Sequence, residues 1–335
     1  MKKPGIRSAA DRVFDITALG ESLVDFVQAG TEGGALRFAA NAGGAPANLL
    51  SAAAKFGMRC ALISKVGEDV FGHYLQQAYQ KAGIDVSALV FSPDSHTTLS
   101  VVSLDAAGDR DFFFYRNATA DSLLCRQDVS VPVLEKTRLF HFGSISMTTP
   151  CGREATRFAA RTAKAQGALI SFDPNYRAPL WSSPDEAKDA FREGCRMADF
   201  IKLSEAELPL LSGETEIPAA ARDVMQQFHP AILVVTLGEK GAFCLTDGGS
   251  LVQAEAYEVD TVDTTGAGDA FFGAFLAGIL RSGKRPEALD GQALSEILNL
   301  ATACGSLSTV RDGAIPAMPE EAEVSALVRN RCASR

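Results

Sequence analysis

The sequence DTTGAGDAFFGAFL, at residues 263–276, joins a turn of small residues to an apolar segment. Phe271 and Phe275 lie one helical turn apart in that segment, which is the spacing of a buried helix. The preceding residues 256–259, with the sequence AYEV, are predicted to form a short strand. A strand, a turn and a helix in this order place the amides of residues 266–268 at a helix N-terminus. Unpaired N–H groups and the helix macrodipole make such a terminus a binding site for anions.

Asp269 stands at the start of the predicted helix. A carboxylate there would repel a bound phosphate, so its presence needs a reason. In one interpretation it accepts the proton of a hydroxyl group that attacks the phosphate, as a general base does. In the other it only balances the positive end of the helix macrodipole, which is a common arrangement. The stretch by itself leaves both interpretations open.

Composition and charge limit the classes of function. The 335 residues suit one large α/β domain or two smaller ones, and the hydrophobic fraction of 47% is ordinary for a compact globular protein. The net charge of −9, without a dense basic run, argues against nucleic acid and anionic membranes as partners. No apolar signal segment follows Lys2 and Lys3, and no run is long enough to span a membrane. We therefore predict a cytoplasmic location.

Cysteines and histidines give no sign of a disulfide framework or a metal site. The seven cysteines are scattered, odd in number and never in C-x-x-C spacing, so we predict reduced thiols. The four histidines are far apart, which disfavours a histidine-based metal site. His141, between two phenylalanines, is predicted to be a strand residue.

Short apolar strands and helical patterns alternate through most of the chain. This alternation predicts an α/β fold with a mostly parallel central sheet and helices on both faces. The predicted strands lie near residues 13–19, 61–66, 139–145, 168–173, 200–203 and 232–236. The predicted helices lie near residues 45–57, 71–82, 153–166, 184–197, 218–228, 289–309 and 319–328.

Two hairpin-like segments, near residues 23–38 and 97–116, interrupt the alternation, and the second turns at residues 105–109. Each follows a predicted sheet strand. In one interpretation they form a small β lid over the carboxyl edge of the sheet, where ligands bind in open α/β folds. In the other they are edge hairpins without a role in the site.

Two motifs together resemble a known family. A Walker A loop and a G-x-G-x-x-G dinucleotide turn are both absent. Instead, GGAPAN at residues 43–48, with KVGED at residues 65–69, resembles the N-terminal signature of the ribokinase-like (PfkB) carbohydrate kinases. DTTGAGDA at residues 263–270 resembles their C-terminal signature, about 220 residues later, so the resemblance covers nearly the whole chain. The stretches most similar to the fructokinase branch are GESLVDF at 20–26, FFYRNATAD at 113–121, FHFGS at 140–144, DPNYR at 173–177 and AIPAMP at 314–319.

The resemblance implies a ribokinase-like three-layer α/β/α fold, with residues 1–335 forming a single kinase domain into which the lid is inserted. It also implies transfer of the γ-phosphoryl group of ATP to a sugar hydroxyl, with Asp269 as the general base. Phosphoryl transfer needs positioning and charge stabilisation more than covalent chemistry. The backbone amides can supply that stabilisation as an anion hole. Those amides belong to Gly266, Ala267 and Gly268.

Several residues are implied as sugar ligands. Asp25 lies among apolar neighbours, where a carboxylate is costly unless hydroxyl groups pair with it. Asn48 follows the open backbone of Gly43 and Gly44 by about one helical turn, and its side chain would lean back towards them. The full set implied by the resemblance is Asp25, Gly43, Gly44, Asn48, Arg116 and Arg177. The two arginines have a second interpretation as solvated charges at strand ends.

The nucleotide side is implied by TLGEKG at residues 236–241 and by a helix position predicted to face the adenine. The family's N-x-x-E element, which is associated with Mg²⁺ and phosphate, is SEAE at residues 204–207 here, so serine replaces asparagine. Mg²⁺ would be held mainly through ATP oxygens and water. The residues implied for nucleotide and Mg²⁺ are Ser204, Glu207, Thr236, Gly238, Gly241 and Asn299.

Many members of the family bind a monovalent cation beside the anion hole. The matching positions here are Asp263, Thr265, Ser308 and Gly313, which makes K⁺ activation a hypothesis.

We predict a fructokinase that uses ATP and Mg²⁺. 2-Keto-3-deoxygluconate kinase is the alternative within the family, because its acid substrate would give Arg116 and Arg177 a carboxylate to bind. A sugar or nucleotide sensor without catalysis is the alternative of another class, although a sensor does not need Asp269. If the lid has an apolar outer face, two lids would pair into a homodimer.

Overall fold

The computed structural model describes residues 12–104 and 110–333. The predicted turn at residues 105–109 and the N-terminal lysines lie outside the described residues. The strands, in chain order, are β1 (Phe14–Leu19), β2 (Leu23–Glu32), β3 (Ala35–Gly43), β4 (Cys60–Gly67), β5 (Ile84–Ser92), β6 (Thr98–Leu104), β7 (Arg110–Tyr115), β8 (Thr137–Gly143), β9 (Leu169–Asp173), β10 (Phe200–Ser204), β11 (Ile232–Thr236), β12 (Ala242–Thr246) and β13 (Leu251–Ala254). The α-helices are α1 (Ala45–Lys55), α2 (Val70–Lys81), α3 (Val131–Leu134), α4 (Pro150–Ala165), α5 (Pro184–Met197), α6 (Leu208–Ser212), α7 (Ile217–Phe228), α8 (Ala267–Ser282), α9 (Gly291–Leu307) and α10 (Glu321–Ala333).

The large sheet is mostly parallel, as predicted. Within the described residues its spatial order is β13-β12-β11-β10-β9-β8-β1-β4-β5, and the seven strands from β11 to β5 pair in parallel. The antiparallel strands β12 and β13 extend the sheet at one end. Because parallel strands end at the same edge, the residues that follow β1, β8, β9, β10 and β11 meet there.

Helices cover both faces of this sheet. Along β4, Leu62 belongs to the apolar layer that contains α1, α8 and α9, whereas Ala61 and Ile63 belong to the layer that contains α4 and α5. This alternation is the period of a strand buried on both faces. The three-layer α/β/α prediction is therefore confirmed.

Helices α1 and α8 pack at backbone distance. A Cβ atom at Gly273 of α8 would collide with the Leu49 carbonyl oxygen of α1. Glycine at this position allows the helix that carries Asn48 and the helix that carries Asp269 to approach closely.

The two predicted hairpins join in a second, small sheet with the order β3-β2-β6-β7. β2 pairs with β3 and β6 with β7 in antiparallel fashion, and β2 pairs with β6 in parallel. β2 begins soon after β1 ends, and β3 leads directly into α1. The small sheet is thus attached at the carboxyl edge of the large one.

Three details differ from the sequence-based predictions. Residues 256–259 are not a strand: the Tyr257 amide donates to the Ser306 hydroxyl at 3.1 Å, so α9 replaces a strand partner. Strands β5, β12 and β13 had not been predicted. Cys125 and Cys151 form a disulfide, so the prediction that all seven cysteines are reduced is wrong. The fold brings α4 against residue 125, a contact that sequence spacing does not reveal.

Four other cysteines, at positions 60, 195, 244 and 304, are buried free thiols, as predicted. His141 is a buried residue of β8 and hydrogen-bonds to Ser171 at 3.0 Å, which confirms its prediction as a strand residue. Among the described residues, no helix is long and apolar enough to cross a membrane.

Candidate active site

The anion loop, residues 264–268, lies where the sequence predicted it. Gly266 has φ 77° and precedes α8, and a Cβ atom there would lie 2.8 Å from the Ala314 Cβ atom. Only glycine suits this left-handed, crowded position. The Ala267 amide donates to the Thr264 carbonyl at 3.2 Å and closes the turn. Within the described part of the chain, the Gly266 and Gly268 amides have no such acceptor, so they are the donors available to an anion.

Asp269 is buried at the first turn of α8, with 7% of its surface exposed. Its Oδ2 atom accepts a hydrogen bond from the Asn48 side-chain amide at 2.9 Å, and its Oδ1 atom accepts one from the Asn175 amide at 3.1 Å. These two donors come from α1 and from the residues after β9, so the carboxylate is fixed from two sides of the site.

The electrostatics of Asp269 suit a general base. Burial and the Asp173 carboxylate raise its pKa to about 7, against the opposing effects of Asn48, Lys202 and Arg177. A base whose pKa lies near neutral pH is ionised in part and can still hold a transferred proton. The reading of Asp269 as a mere dipole counter-charge does not account for its burial among polar donors.

A cavity of about 490 Å³ opens between the small sheet and the carboxyl edge of the large one. It brings together most of the residues predicted for sugar binding and catalysis. Its lining comprises Glu21, Leu23, Asp25, Gly44, Ala45, Asn48, Phe114, Ile145, Asn175, Arg177, Lys202, Ser204, Glu207, Thr264, Thr265, Gly266, Ala267, Gly268 and Asp269.

Asp25 and Gly44 line one wall of this cavity, and Gly43, which is not among the lining residues, lies directly against Asp25. Burial raises the pKa of Asp25 to about 6, an effect that Arg177 opposes. A Cβ atom at Gly43 would collide with the Asp25 carboxylate. Gly44 has φ 110°, and a Cβ atom there would meet the Glu21 carbonyl oxygen. Both glycines therefore permit close approach of backbone and carboxylate.

The two predicted arginines differ in position. Arg177 lines the cavity and donates to the Tyr176 carbonyl at 3.0 Å. Arg116 is engaged in a polar network beneath the small sheet. Its guanidinium donates to Asp121 at 2.7 Å, to the Thr148 hydroxyl at 2.7 Å and to the Ile145 carbonyl at 3.3 Å.

Four polar residues of the cavity were not predicted as site residues: Glu21, Asn175, Lys202 and Thr264. Glu21 accepts the Ala45 amide at 2.8 Å, and burial raises its pKa to about 7. Lys202, on β10, lies 2.9 Å from an oxygen of Asp173. A lysine inside the apolar strand FIKLS was a signal that could have been found, because a buried charge needs a partner.

Ser204 and Glu207 are hydrogen-bonded to each other. One Glu207 oxygen accepts from both the amide and the hydroxyl of Ser204 at 2.8 Å, and the other accepts from the Tyr176 amide at 2.7 Å. Although burial acts to raise the pKa of Glu207, Lys202 and these donors hold it below its usual value. Among the residues that the structure describes, no group of three or more His, Cys, Asp or Glu side chains is placed to hold a metal ion.

A second cavity of about 510 Å³ contains the predicted adenine-facing residue Asn299, whose side-chain oxygen accepts from the Tyr257 hydroxyl at 2.8 Å. Thr236 ends β11 opposite Ser204, so the two cavities lie beside adjacent strand ends. Gly238 and Gly241 bound the turn between β11 and β12, and a Cβ atom at Gly241 would collide with the Ala254 carbonyl. The lining comprises Leu237, Lys240, Ala242, Gln253, Ala254, Glu255, Ser295, Glu296, Asn299 and Arg331.

The four residues of the K⁺ hypothesis come from segments that meet beside the anion loop. One Asp263 oxygen accepts the Thr265 amide at 2.7 Å, and the other accepts the Gly313 amide at 3.0 Å. The Asp263 amide donates to the Thr309 carbonyl at 3.0 Å, next to Ser308. The role of a cation there stays a prediction.

Comparisons with known proteins show the family of this chain. The model of the pfkB family of carbohydrate kinases matches residues 14–321. The chain is 39% identical to a probable fructokinase-3 of Arabidopsis thaliana over 324 residues, which covers 94% of this chain and 92% of that protein. It is also 39% identical to a fructokinase-2 of Solanum lycopersicum over 326 residues, covering 94% and 96%.

Solved structures of fructokinases are also similar to this chain. A fructokinase from Xylella fastidiosa with bound ATP aligns with a TM-score of 0.87 at 30% identity, covering 95% of this chain and 99% of that one. A double mutant of a Vibrio cholerae fructokinase with fructose, ADP and a potassium ion aligns with a TM-score of 0.85 at 32% identity, covering 96% and 100%.

Proposed function

Because this chain belongs to the pfkB family of carbohydrate kinases, we propose that it is a fructokinase, which transfers the γ-phosphoryl group of ATP to a hydroxyl of D-fructose. The relatives named above are called fructokinases. Of the two solved structures named above, one contains ATP and the other contains fructose with ADP. The observation that carries the proposal is the Asp269 carboxylate, buried beside the two available amides of the anion loop and held by Asn48 and Asn175.

In the proposed reaction, Asp269 accepts the proton of the fructose hydroxyl. A bond forms between that oxygen and the γ-phosphorus, the bond from the γ-phosphorus to the bridging oxygen breaks, and ADP leaves. The Gly266 and Gly268 amides stabilise the charge on the phosphoryl oxygens. One such donor is worth roughly 3 kcal/mol of the barrier. The remaining work is alignment of the hydroxyl with the phosphate.

Sugar hydroxyls are proposed to bind at Asp25, Gly43 and Gly44. Asp25 is an acceptor for two hydroxyls, and desolvation of its carboxylate makes each such bond worth more than on the surface. The Asn48 side-chain oxygen is buried without a partner among the described residues, so it is available to a donor on the substrate.

ATP is proposed to bind across the two cavities, with its base near Asn299 and its phosphates directed past Thr236, Gly238 and Gly241 to the anion loop. Mg²⁺, held by phosphate oxygens and water near Ser204 and Glu207, would neutralise negative charge on the phosphates. The oxygen and carboxylate chemistry of these residues fits that ion.

K⁺ is proposed beside Asp263, Thr265, Ser308 and Gly313, where it would fix the backbone of the anion loop. The test compares turnover in K⁺ with turnover in a bulky organic cation, both without Na⁺. A faster reaction in K⁺ is expected, and equal rates would refute the proposal.

The names of the relatives reported above favour fructose over 2-keto-3-deoxygluconate. An acid substrate would need a cation for its carboxylate; Arg116 already donates to Asp121, Thr148 and Ile145, whereas Arg177 lines the cavity. A coupled ADP-release assay with fructose, 2-keto-3-deoxygluconate, ribose and adenosine tests the proposal. Fructose should give the highest kcat/KM. A preference for the keto acid would support the alternative kinase, and tight sugar binding without turnover would support a sensor.

The small sheet is proposed to act as a lid on a single kinase domain of residues 1–335, and to pair with the lid of a second copy. Phe114 lines the cavity, so its neighbours Phe113 and Tyr115 face away from it, and they are 56% and 66% exposed. Leu36 and Phe38 on β3 are 61% and 39% exposed. Such an apolar surface is typical of an interface. Light scattering should give twice 35.4 kDa, and Phe38→Ser combined with Tyr115→Ser should give the monomer mass. A wild-type monomer would refute the pairing.

A further inference from the structure

Lys202 is a buried ammonium inside the candidate active site. It belongs to β10, and only 6% of its surface is exposed. Its Nζ atom lies 2.9 Å from an oxygen of Asp173 and would be 3.1 Å from a Cβ atom placed on Gly268. The positive charge therefore sits beside the same loop whose amides are available to a phosphate.

Acidic side chains outnumber basic ones in the lining of this cavity. The acidic side chains are Glu21, Asp25, Glu207 and Asp269, whereas the cationic ones, within the described residues, are Arg177 and Lys202. An incoming triphosphate adds more negative charge, which Mg²⁺ and the cationic side chains of the site would have to balance. Of these two side chains, Lys202 is the one that lies beside the anion loop, with its Nζ atom next to Gly268.

We propose that Lys202 is a catalytic residue whose ammonium group binds the oxygens of the travelling phosphoryl group, next to the Gly266 and Gly268 amides. Asp173 is its positioning residue, because the ion pair fixes the end of a flexible side chain. Lys202 gives up no proton: the hydroxyl proton goes to Asp269, and the ammonium only stabilises charge. This inference rests on the proposed function of the site.

The burial of the group makes its contribution large. A charge in a water-excluded site acts on the developing negative charge with little screening, and it needs no rearrangement at the moment of reaction. Burial by itself would lower the pKa of Lys202, but the Asp173 and Glu207 carboxylates outweigh this and raise the pKa above its ordinary value. The group therefore remains an ammonium at the pH of the reaction.

A purely structural role makes a different prediction. If Lys202 served only as a counter-ion for Asp173, replacing both by neutral side chains would leave no unpaired buried charge, because an ion pair can often be replaced by neutral residues without loss of stability. Asn at position 173 keeps an oxygen for the Asn175 amide, which donates to Asp173 at 3.1 Å. The double variant Lys202→Met with Asp173→Asn thus separates the two roles.

The experiment measures kcat and KM for fructose and ATP in the wild type, Lys202→Met, Lys202→Arg and the double variant. We expect Lys202→Met and the double variant to lose about 10²- to 10³-fold in kcat, with both KM values within about threefold of wild type. Lys202→Arg keeps the charge and should retain more activity than Lys202→Met. The affinity for ADP with aluminium fluoride and fructose, which imitate the phosphoryl group in transfer, should fall by the same factor as kcat.

A pH profile shows how much of the effect passes through Asp269. Lys202 lowers the pKa of Asp269 and Asp173 raises it, so the acidic limb of kcat should shift to higher pH in Lys202→Met and shift less in the double variant. The double variant is the decisive protein if Lys202→Met alone fails to fold. Wild-type kcat in the folded double variant, or in Lys202→Met itself, would overturn the proposal.

The outcome for the wild type separates this inference from the proposed function. If the wild type phosphorylates fructose and the Lys202 variants are equally active, only the role of Lys202 is refuted. If the wild type phosphorylates another sugar of the panel but not fructose, only the choice of fructose is refuted, and the variants are then compared on that sugar. Absence of turnover with every sugar refutes both.

Discussion

Replacing Asp269 by Asn should abolish most turnover and stabilise the fold at the same time. The buried carboxylate has its pKa raised to about 7, so keeping it ionised above neutral pH costs folding free energy. Asn removes that cost and keeps the shape. Its amide group would face the Asn48 amide, but the unpartnered Asn48 oxygen can turn towards it. The site therefore accepts the substitution.

The magnitude follows from the pKa. The unfolded carboxyl group ionises near its ordinary value of 3.8 and the folded one near 7, so between these values the folded state binds one proton more. Stability of the wild type then decreases as pH rises, by about 1.4 kcal/mol per pH unit, and this loss is complete above about pH 7. Between about pH 5.5 and about pH 8, the unfolding free energy of Asp269→Asn relative to wild type should increase by about 2 kcal/mol.

Equilibrium unfolding in urea at the two pH values measures this difference, and the ADP-release assay measures the loss of kcat, expected to exceed about 10³-fold. Asp15→Asn is the matched control. Asp15 is also a carboxylate with little solvent exposure, but the hydrogen bonds from Arg59 and Arg138 and the charge of Arg59 outweigh the effect of burial and lower its pKa to about 2. It is ionised in both states throughout this range, so its substitution should have an effect independent of pH. A pH-independent effect of Asp269→Asn, or retention of near wild-type kcat, would refute the reasoning.

Three further predictions concern the same site. The kcat/KM for fructose should fall about tenfold per pH unit below about pH 7, because Asp269 must be ionised; a profile flat from pH 5.5 to 8 would contradict this. Asp25→Asn should raise KM for fructose by roughly tenfold or more, since it removes charged hydrogen bonds, and leave KM for ATP unchanged; an unchanged fructose KM would exclude Asp25 as a ligand. Gly273→Ala should lower the unfolding free energy, measured in urea, by about 1–3 kcal/mol, because the new methyl group would meet the Leu49 carbonyl oxygen. The control Gly291→Ala should change the unfolding free energy little, because a Cβ atom there meets open space.

Regular elements were predictable wherever a strong local pattern existed. The helix at Pro184–Met197 and the strand at Ile232–Thr236 have the predicted bounds, because apolar periodicity and a proline at the helix start are local signals. Residues 256–259 were wrongly predicted to form a strand, because the local pattern of apolar and polar residues does not show whether a neighbouring strand is available to pair with. Tyr257 satisfies its amide with Ser306 instead.

The site itself was predictable only where motifs identify residues. Asn48 and Asp269 were both named, but their mutual hydrogen bond joins positions 221 residues apart in the chain and follows from the packing of α1 on α8. Arg116 was predicted as a ligand, yet its internal partners Asp121 and Thr148 depend on tertiary contacts. The disulfide between Cys125 and Cys151 was missed for the same reason.

A crystal structure with fructose and a non-hydrolysable ATP analogue tests the account most directly. The terminal phosphate should lie within hydrogen-bonding distance of the Gly266 and Gly268 amides, with one fructose hydroxyl between it and Asp269. A terminal phosphate bound away from this loop, or a sugar whose hydroxyls all lie out of reach of Asp269, would contradict it.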